Sequence, residues 1–213
     1  FDEYREAVQA TQTDKDGTVV WLYATDRDKQ HGFIESAQKR GYKVLLLDNV
    51  IDPHFINGIE YKLEKTTLKR VDADTLDKLI DTGVTSESVL SEDDRNTLKG
   101  LFEEVIGNKA ATVTVEAMPT DELPVIITLP EFFRRMKDMS ALGGGNAMMF
   151  GAMPDSYNLT VNANHPLADR ILKAENEEQK QLVKQAVDLA KLAQGMLSGS
   201  DLTAFIRRTA GTL

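Results

Sequence analysis

The sequence predicts two joined units: a small three-layer parallel-sheet α/β domain, then an α+β domain ending in two helices that form an intermolecular four-helix bundle. Three observations carry this. Through roughly residues 1–80, short apolar runs alternate with segments of helical periodicity, the pattern of strands joined by crossover helices. The polar, punctuated stretch 81–92 (DTGVTSESVLSE) then breaks the pattern, so the cut falls near 85 and the domains are 1–85 and 86–213. Beyond it, short alternating segments precede two C-terminal helical stretches with wide, alanine-rich apolar faces.

In the first unit, Phe1, Tyr4, Ala7 and Val8 recur at spacings of three and four, which predicts a short helix. Residues 18–25 (TVVWLYAT) are β-branched and aromatic with little polar alternation, the mark of a strand buried on both faces. A helix follows over about 28–40, with Phe33, Ile34 and Ala37 inward and Gly41 ending it. Residues 42–48 (YKVLLLD) predict a second buried strand. Asp52 then reads as a helix cap with Pro53 in the first turn of a helix over 53–63, its Phe55, Ile56 and Ile59 facing inward. Residues 68–71 form a weaker third strand.

In the second unit, Ser91 to Asp94 resembles a capping box ahead of a helix to about Ile106. Residues 111–118 (ATVTVEAM) alternate apolar with polar, 124–129 do so in part, and Asp121-Glu122 lies between them; this predicts a β-hairpin in a small antiparallel sheet. Residues 157–162 (YNLTVN) supply a third strand, closed by Asn164-His165-Pro166. The long helix 175–197 repeats Leu182, Ala186, Leu189, Ala193 and Met196, and the last helix, 201–213, carries Leu202, Phe205 and Ile206 on one side. These eight residues form the expected dimer interface; the alternative is that the two helices cover their own sheet.

Composition excludes several classes of function. A net charge of −9 with a pI near 4.9 argues against a general nucleic-acid surface, which needs clustered Lys and Arg. With no cysteine there is no disulfide framework, thiolate metal site or thiol nucleophile, and a cytoplasmic location is expected. No apolar run approaches the ~20 residues that span a bilayer. The chain starts at Phe1 in what reads as helix, as a fragment of a longer protein would. His31, His54 and His165 are spread along the chain without metal-ligand spacing. An enzyme or small-molecule site is left as the rival reading, with Asp48 and Asp52 after the second strand as a carboxylate pair of the kind that holds magnesium.

The segment 131–157 (EFFRRMKDMSALGGGNAMMFGAMPDSY) gathers Met136, Met139, Met148, Met149 and Met153 around Gly143-Gly144-Gly145. Each glycine costs a helix about 1 kcal/mol relative to alanine, and methionine repacks readily against varied apolar partners. The segment therefore reads as an adaptable contact surface for polypeptides, to which Leu142 and Phe150 also belong. The alternative is that these side chains fill the domain's own core.

Taken in order, VVWLYAT, GYKVLLLD, IDPHFIN, EFFRRMKDMSALGGG, MPDSYNLTVNANHPL and DLTAFIRRTAGTL resemble the C-terminal part of a heat-shock protein 90 chaperone of the bacterial type, over essentially the whole chain. The resemblance implies that 1–85 ends the middle domain and that the rest is a dimerisation domain, together a homodimeric, client-binding part of an ATP-dependent chaperone that assists protein folding. It places client contacts at Pro53, His54 and Asn57 and at Phe132, Met136, Met139 and Ser140, although bacterial relatives can carry tryptophan where His54 stands. It also puts the nucleotide-binding domain and catalytic arginine loop upstream. The chain itself is thus expected to have no ATPase activity and no cofactor, with ATP and Mg in the parent's N-terminal domain. The acidic tail peptide that recruits tetratricopeptide co-chaperones in eukaryotic relatives is missing, so no partner is expected through it.

Overall fold

The run TVVWLYAT forms the centre of the first sheet in the computed structural model of the chain, which describes residues 1–49, 51–84, 86–107, 111–129 and 156–211, with the backbone alone at Pro53, Asn57 and Glu60. All six residues of β1 (Val19–Ala24) are buried. β2 (Val44–Leu46) and β3 (Thr66–Arg70) flank it in the order β2-β1-β3, both parallel to it, with Leu22 opposite Val44 and Trp21 opposite Leu68. Because successive side chains of a strand point to opposite faces, β1 feeds two separate cores. Val20, Leu22 and Ala24 pack with Ala37 of α2 (His31–Lys39), with Val71 and with α4 (Leu76–Leu79). Val19, Trp21 and Tyr23 pack with Val8 of α1 (Asp2–Val8) and with Ile56 and Ile59 of α3 (Asp52–Glu60). The parallel α/β sheet predicted for this unit is therefore present.

Three details differ from expectation. β2 is only three residues long and partly exposed, with Leu46 at 47%, rather than buried on both faces. Among the described residues it is an edge strand, with a sheet neighbour on one side only. Asp52 is the first residue of α3 and not its cap; its carboxylate instead accepts the Asn49 N–H at 2.9 Å and closes the preceding loop. Phe55 is exposed where Ile56 and Ile59 are buried, because the apolar arc of α3 is wider than the surface β1 and β3 offer it.

The second unit begins at α5 (Glu92–Ile106). Ser91 Oγ accepts the Asp94 N–H at 3.1 Å, and Gly107 ends the helix at φ +59°. The hairpin expected next does not form. β4 (Ala111–Glu116), β5 (Val125–Thr128) and β6 (Tyr157–Asn162) lie in the order β4-β6-β5, and β4 runs parallel to β6 from Ala111 opposite Tyr157 to Glu116 opposite Asn162. The reason lies in the β4–β5 connection, which wraps the end of β6. The fully buried Asn162 accepts the Met118 N–H (3.3 Å) and donates to the Pro119 carbonyl (2.8 Å), while its own backbone N–H donates to the Pro124 carbonyl (2.9 Å). The connection's polar groups are thus satisfied by β6 rather than by a turn between β4 and β5.

A further helix, α6 (Pro166–Lys173), follows β6 where the sequence reading placed a stop. Pro166 blocks strand extension but suits a helix's first turn, and His165 Nδ1 caps it by accepting the Leu167 N–H at 3.0 Å. α7 (Asn176–Ala193) ends earlier than expected, at a turn through Gly195 (φ +64°), and α8 (Gly199–Ala210) completes the chain. The chain divides into two compact units, the first built on Phe1–Val84 and the second on Thr85–Ile127 with the described residues that follow Pro154.

Candidate functional site

Two surfaces expose apolar side chains that their own unit leaves unused. The first lies on α3. Its inner side anchors on Trp21 through Ile56 and Ile59, while Ile51, Phe55 and Tyr61 are 69%, 44% and 93% exposed. Aromatic packing links this layer to the core through Phe1, itself exposed. The Phe1 ring lies 6.4 Å from Phe55 and 6.2 Å from Trp21, and Tyr4 meets Trp21 edge-on at 5.1 Å. Burial pushes the Tyr4 phenol up to about 12. The Tyr4 hydroxyl and Trp21 Nε1 are buried without a hydrogen-bond partner among the described residues. His54 is exposed in the first turn of α3, and Pro53 and Asn57 lie on the same helix. The other sequence-predicted contact residues, Phe132, Met136, Met139, Ser140, Leu142, Met148, Met149 and Phe150, lie outside the described residues.

The second surface is on α7 and α8. Of the predicted interface residues, Ala186 and Phe205 are buried within the chain, Leu182, Met196 and Leu202 are half-buried, and Leu189, Ala193 and Ile206 are exposed. Leu192, not singled out from the sequence, is also exposed. The two helices are joined by a polar cluster. Arg208 donates to Asp188 Oδ2 at 2.5 Å and to Gln185 Oε1 at 3.1 Å, and Gln185 Nε2 donates to Thr209 Oγ1 at 3.1 Å.

The carboxyl edge of the first sheet is where a doubly wound fold would place a ligand. Here Gln30, 5% exposed, accepts the backbone N–H groups of Thr25 (2.7 Å) and Asp26 (2.9 Å) at its side-chain oxygen, occupying donors that an anion would otherwise use. Nothing in the sequence signalled this role: a single glutamine has no spacing to read. Asp48 and Asp52 are engaged by Asn49, through its Nδ2 and its backbone N–H respectively. Among the described residues no group of three or more His, Cys, Asp or Glu is placed to hold a metal ion. Burial holds the His165 pKa below its ordinary value. No helix among the described residues is long and apolar enough to cross a membrane.

Comparison with known proteins matches the Hsp90 protein family over residues 1–207. The chain is 46% identical over 180 residues to a chaperone protein HtpG of Porphyromonas gingivalis, covering 83% of this chain and 26% of that protein. It is 35% identical over 181 residues to one from Bacteroides fragilis, covering 84% and 26%, and 36% identical over 187 residues to one from Bacteroides thetaiotaomicron, covering 82% and 26%. The chain belongs to the Hsp90 family. It spans about a quarter of the length of the curated relatives it matches. The match also corrects one expectation. Since the Hsp90 family's own description runs across 1–207, the exclusion of ATPase activity from this chain is overturned, and with it the assignment of ATP and Mg wholly to another part of the parent protein.

Proposed function

We propose that the chain is the client-holding and subunit-joining part of a cytoplasmic Hsp90-type chaperone, with residues 1–85 forming the end of the middle domain and 86–213 the dimerisation domain. The observation that carries this reading is the set of exposed apolar residues on the last two helices, Leu189, Leu192 and Ile206, in a chain of this family. An acidic, charge-rich protein leaves such residues bare at the cost of solubility unless a partner covers them. Residues 175–213 of two copies then form a four-helix interface, with Leu182, Ala193, Met196 and Leu202 at its margins and Ala186 and Phe205 supporting it from within.

Client proteins are held on each arm by the exposed α3 face, with Ile51, His54 and Phe55, and by the methionine-rich segment containing Met136, Met139, Met148 and Met149. Joining two arms makes a client's second contact intramolecular, so weak and adaptable contacts suffice. Sedimentation of the 213-residue chain across a range of concentrations tests the subunit claim. Wild type sediments as a dimer, and Leu189→Asp with Ile206→Asp sediments as a monomer; a monomeric wild type ends the reading. Slowed aggregation of a heat-denatured test protein, diminished by Phe55→Ser, tests the client claim.

A further inference from the structure

We infer that Asp188 and Arg208 form a clasp within each chain that positions α8 for dimerisation, an inference that rests on the dimer reading above. Besides the Gln185–Thr209 hydrogen bond, the described packing of α8 is sparse. Among its described residues only Phe205 is buried, and a helix of its length is marginal without packing. The clasp lies one turn beyond Phe205, near the C-terminal end of the helix. Asp188 is 5% exposed on α7, with Arg208 at 2.5 Å and Lys184 at 3.5 Å. The guanidinium reaches Gln185 as well, and its carbon sits 5.8 Å from the Phe205 ring, over the residue that anchors α8.

Such a pair adds little net stability, because desolvating both charges offsets their attraction; what it sets is orientation. The buried Asp188 carboxylate holds the Arg208 guanidinium against α7, which favours one rotational setting of α8. In that setting Ile206 of α8 is exposed, as are Leu189 and Leu192 of α7. If α8 rolled, the exposure of Ile206 would change. Asp188 and Arg208 are thus positioning residues: they shape the interface without needing to touch the second copy.

The test measures the dimer dissociation constant of the 213-residue chain and its single and paired variants. Asp188→Asn and Arg208→Gln, which preserve size, are each expected to weaken dimerisation about tenfold. The double variant is expected to be no weaker than either single, since both break one contact. Amide exchange should quicken in α8 and stay unchanged in α5 and β6. Charge exchange then separates a clasp within the chain from one between copies. Asp188→Arg and Arg208→Asp on the same chain restore dimerisation, whereas mixing the two single variants does not.

Four results overturn the inference. They are a dimer affinity within twofold of wild type for both neutral variants; weakening that simply adds in the double variant; loss of protection in β6, which makes the pair a general fold element; and recovery on mixing, which puts the clasp between copies. A monomeric wild type removes the dimer reading itself, and that outcome is distinct from a stable dimer indifferent to Asp188 and Arg208.

Discussion

Among the described residues the two sheets have the same number of strands and opposite histories. In the first, the central strand β1 comes first in the chain, and its neighbours are added by helical crossovers. In the second, the central strand β6 comes last, entering between two strands already present. The contrast teaches where local sequence has authority. A strand followed by a crossover helix leaves little choice of partner, because the helix must pack back on the same sheet. Two alternating segments with a short connection invite a hairpin, yet a third strand outcompetes it when it brings a buried amide that satisfies the connection.

Emptying the two central strands is expected to give the largest effect. Leu22→Ala in β1 and Leu159→Ala in β6, both fully buried, should each cost about 3 kcal/mol. In amide exchange, each should deprotect its own sheet and spare the other. Deprotection of both sheets by either substitution would break the comparison and make the units a single cooperative whole.

That contrast also explains what was legible. β1 was readable because six consecutive buried positions leave an unbroken apolar run, and the start of α5 because Ser91 marks it chemically. The run YKVLLLD looked equally buried, but apolar content does not distinguish an edge strand from a central one, and Leu46 faces solvent. α6 was missed because Pro166 ends one kind of element and begins another. Of the contact residues, His54 could be placed on an exposed helix turn, while the terminal stripe split between core and surface, as at Phe205 and Ile206. Helical spacing alone cannot make that division, since residues one position apart differ by only about 100° around the axis.

The two buried amides sharpen the comparison at the next level of effect. Gln12, fully buried, donates to the Val20 carbonyl at 2.8 Å and accepts the Lys43 N–H at 2.7 Å, joining β1 to the approach of β2. Asn162 does the corresponding work for β6. Gln12→Leu and Asn162→Leu should each cost about 2 kcal/mol through the backbone groups left unpaired, read from denaturant midpoints. If Asn162 governs strand order, its loss should also quicken exchange at Met118. Ser91→Ala should remove about 1 kcal/mol from the α5 start, seen as faster exchange at Asp94.

The smallest effect belongs to the exposed Lys15–Asp81 pair at 2.7 Å. The Lys15 ammonium and the Gly83 N–H lower the Asp81 pKa, and Asp81 raises that of Lys15. Asp81 thus contributes stability above its unfolded-state pKa, lost as pH falls through the lowered folded value. Lys15 contributes below its own unfolded-state pKa, lost as pH rises through the raised one. Asp81→Asn should flatten the acid limb of the stability profile slightly, with the difference shrinking in high salt.

The late arrival of β6 has a consequence during synthesis. Once Arg70 has emerged from the ribosome, the described strands of the first sheet are all available and can close while the chain still grows. The second sheet has no such opportunity. From Ala111 until Asn162 emerges, β4 and β5 wait without the strand that lies between them, their backbone edges open to other nascent chains. A protein of a chaperone family thus passes through an interval in which it resembles a client itself, and slowing translation across Thr128–Tyr157 should lengthen that interval and raise the yield of aggregated chain.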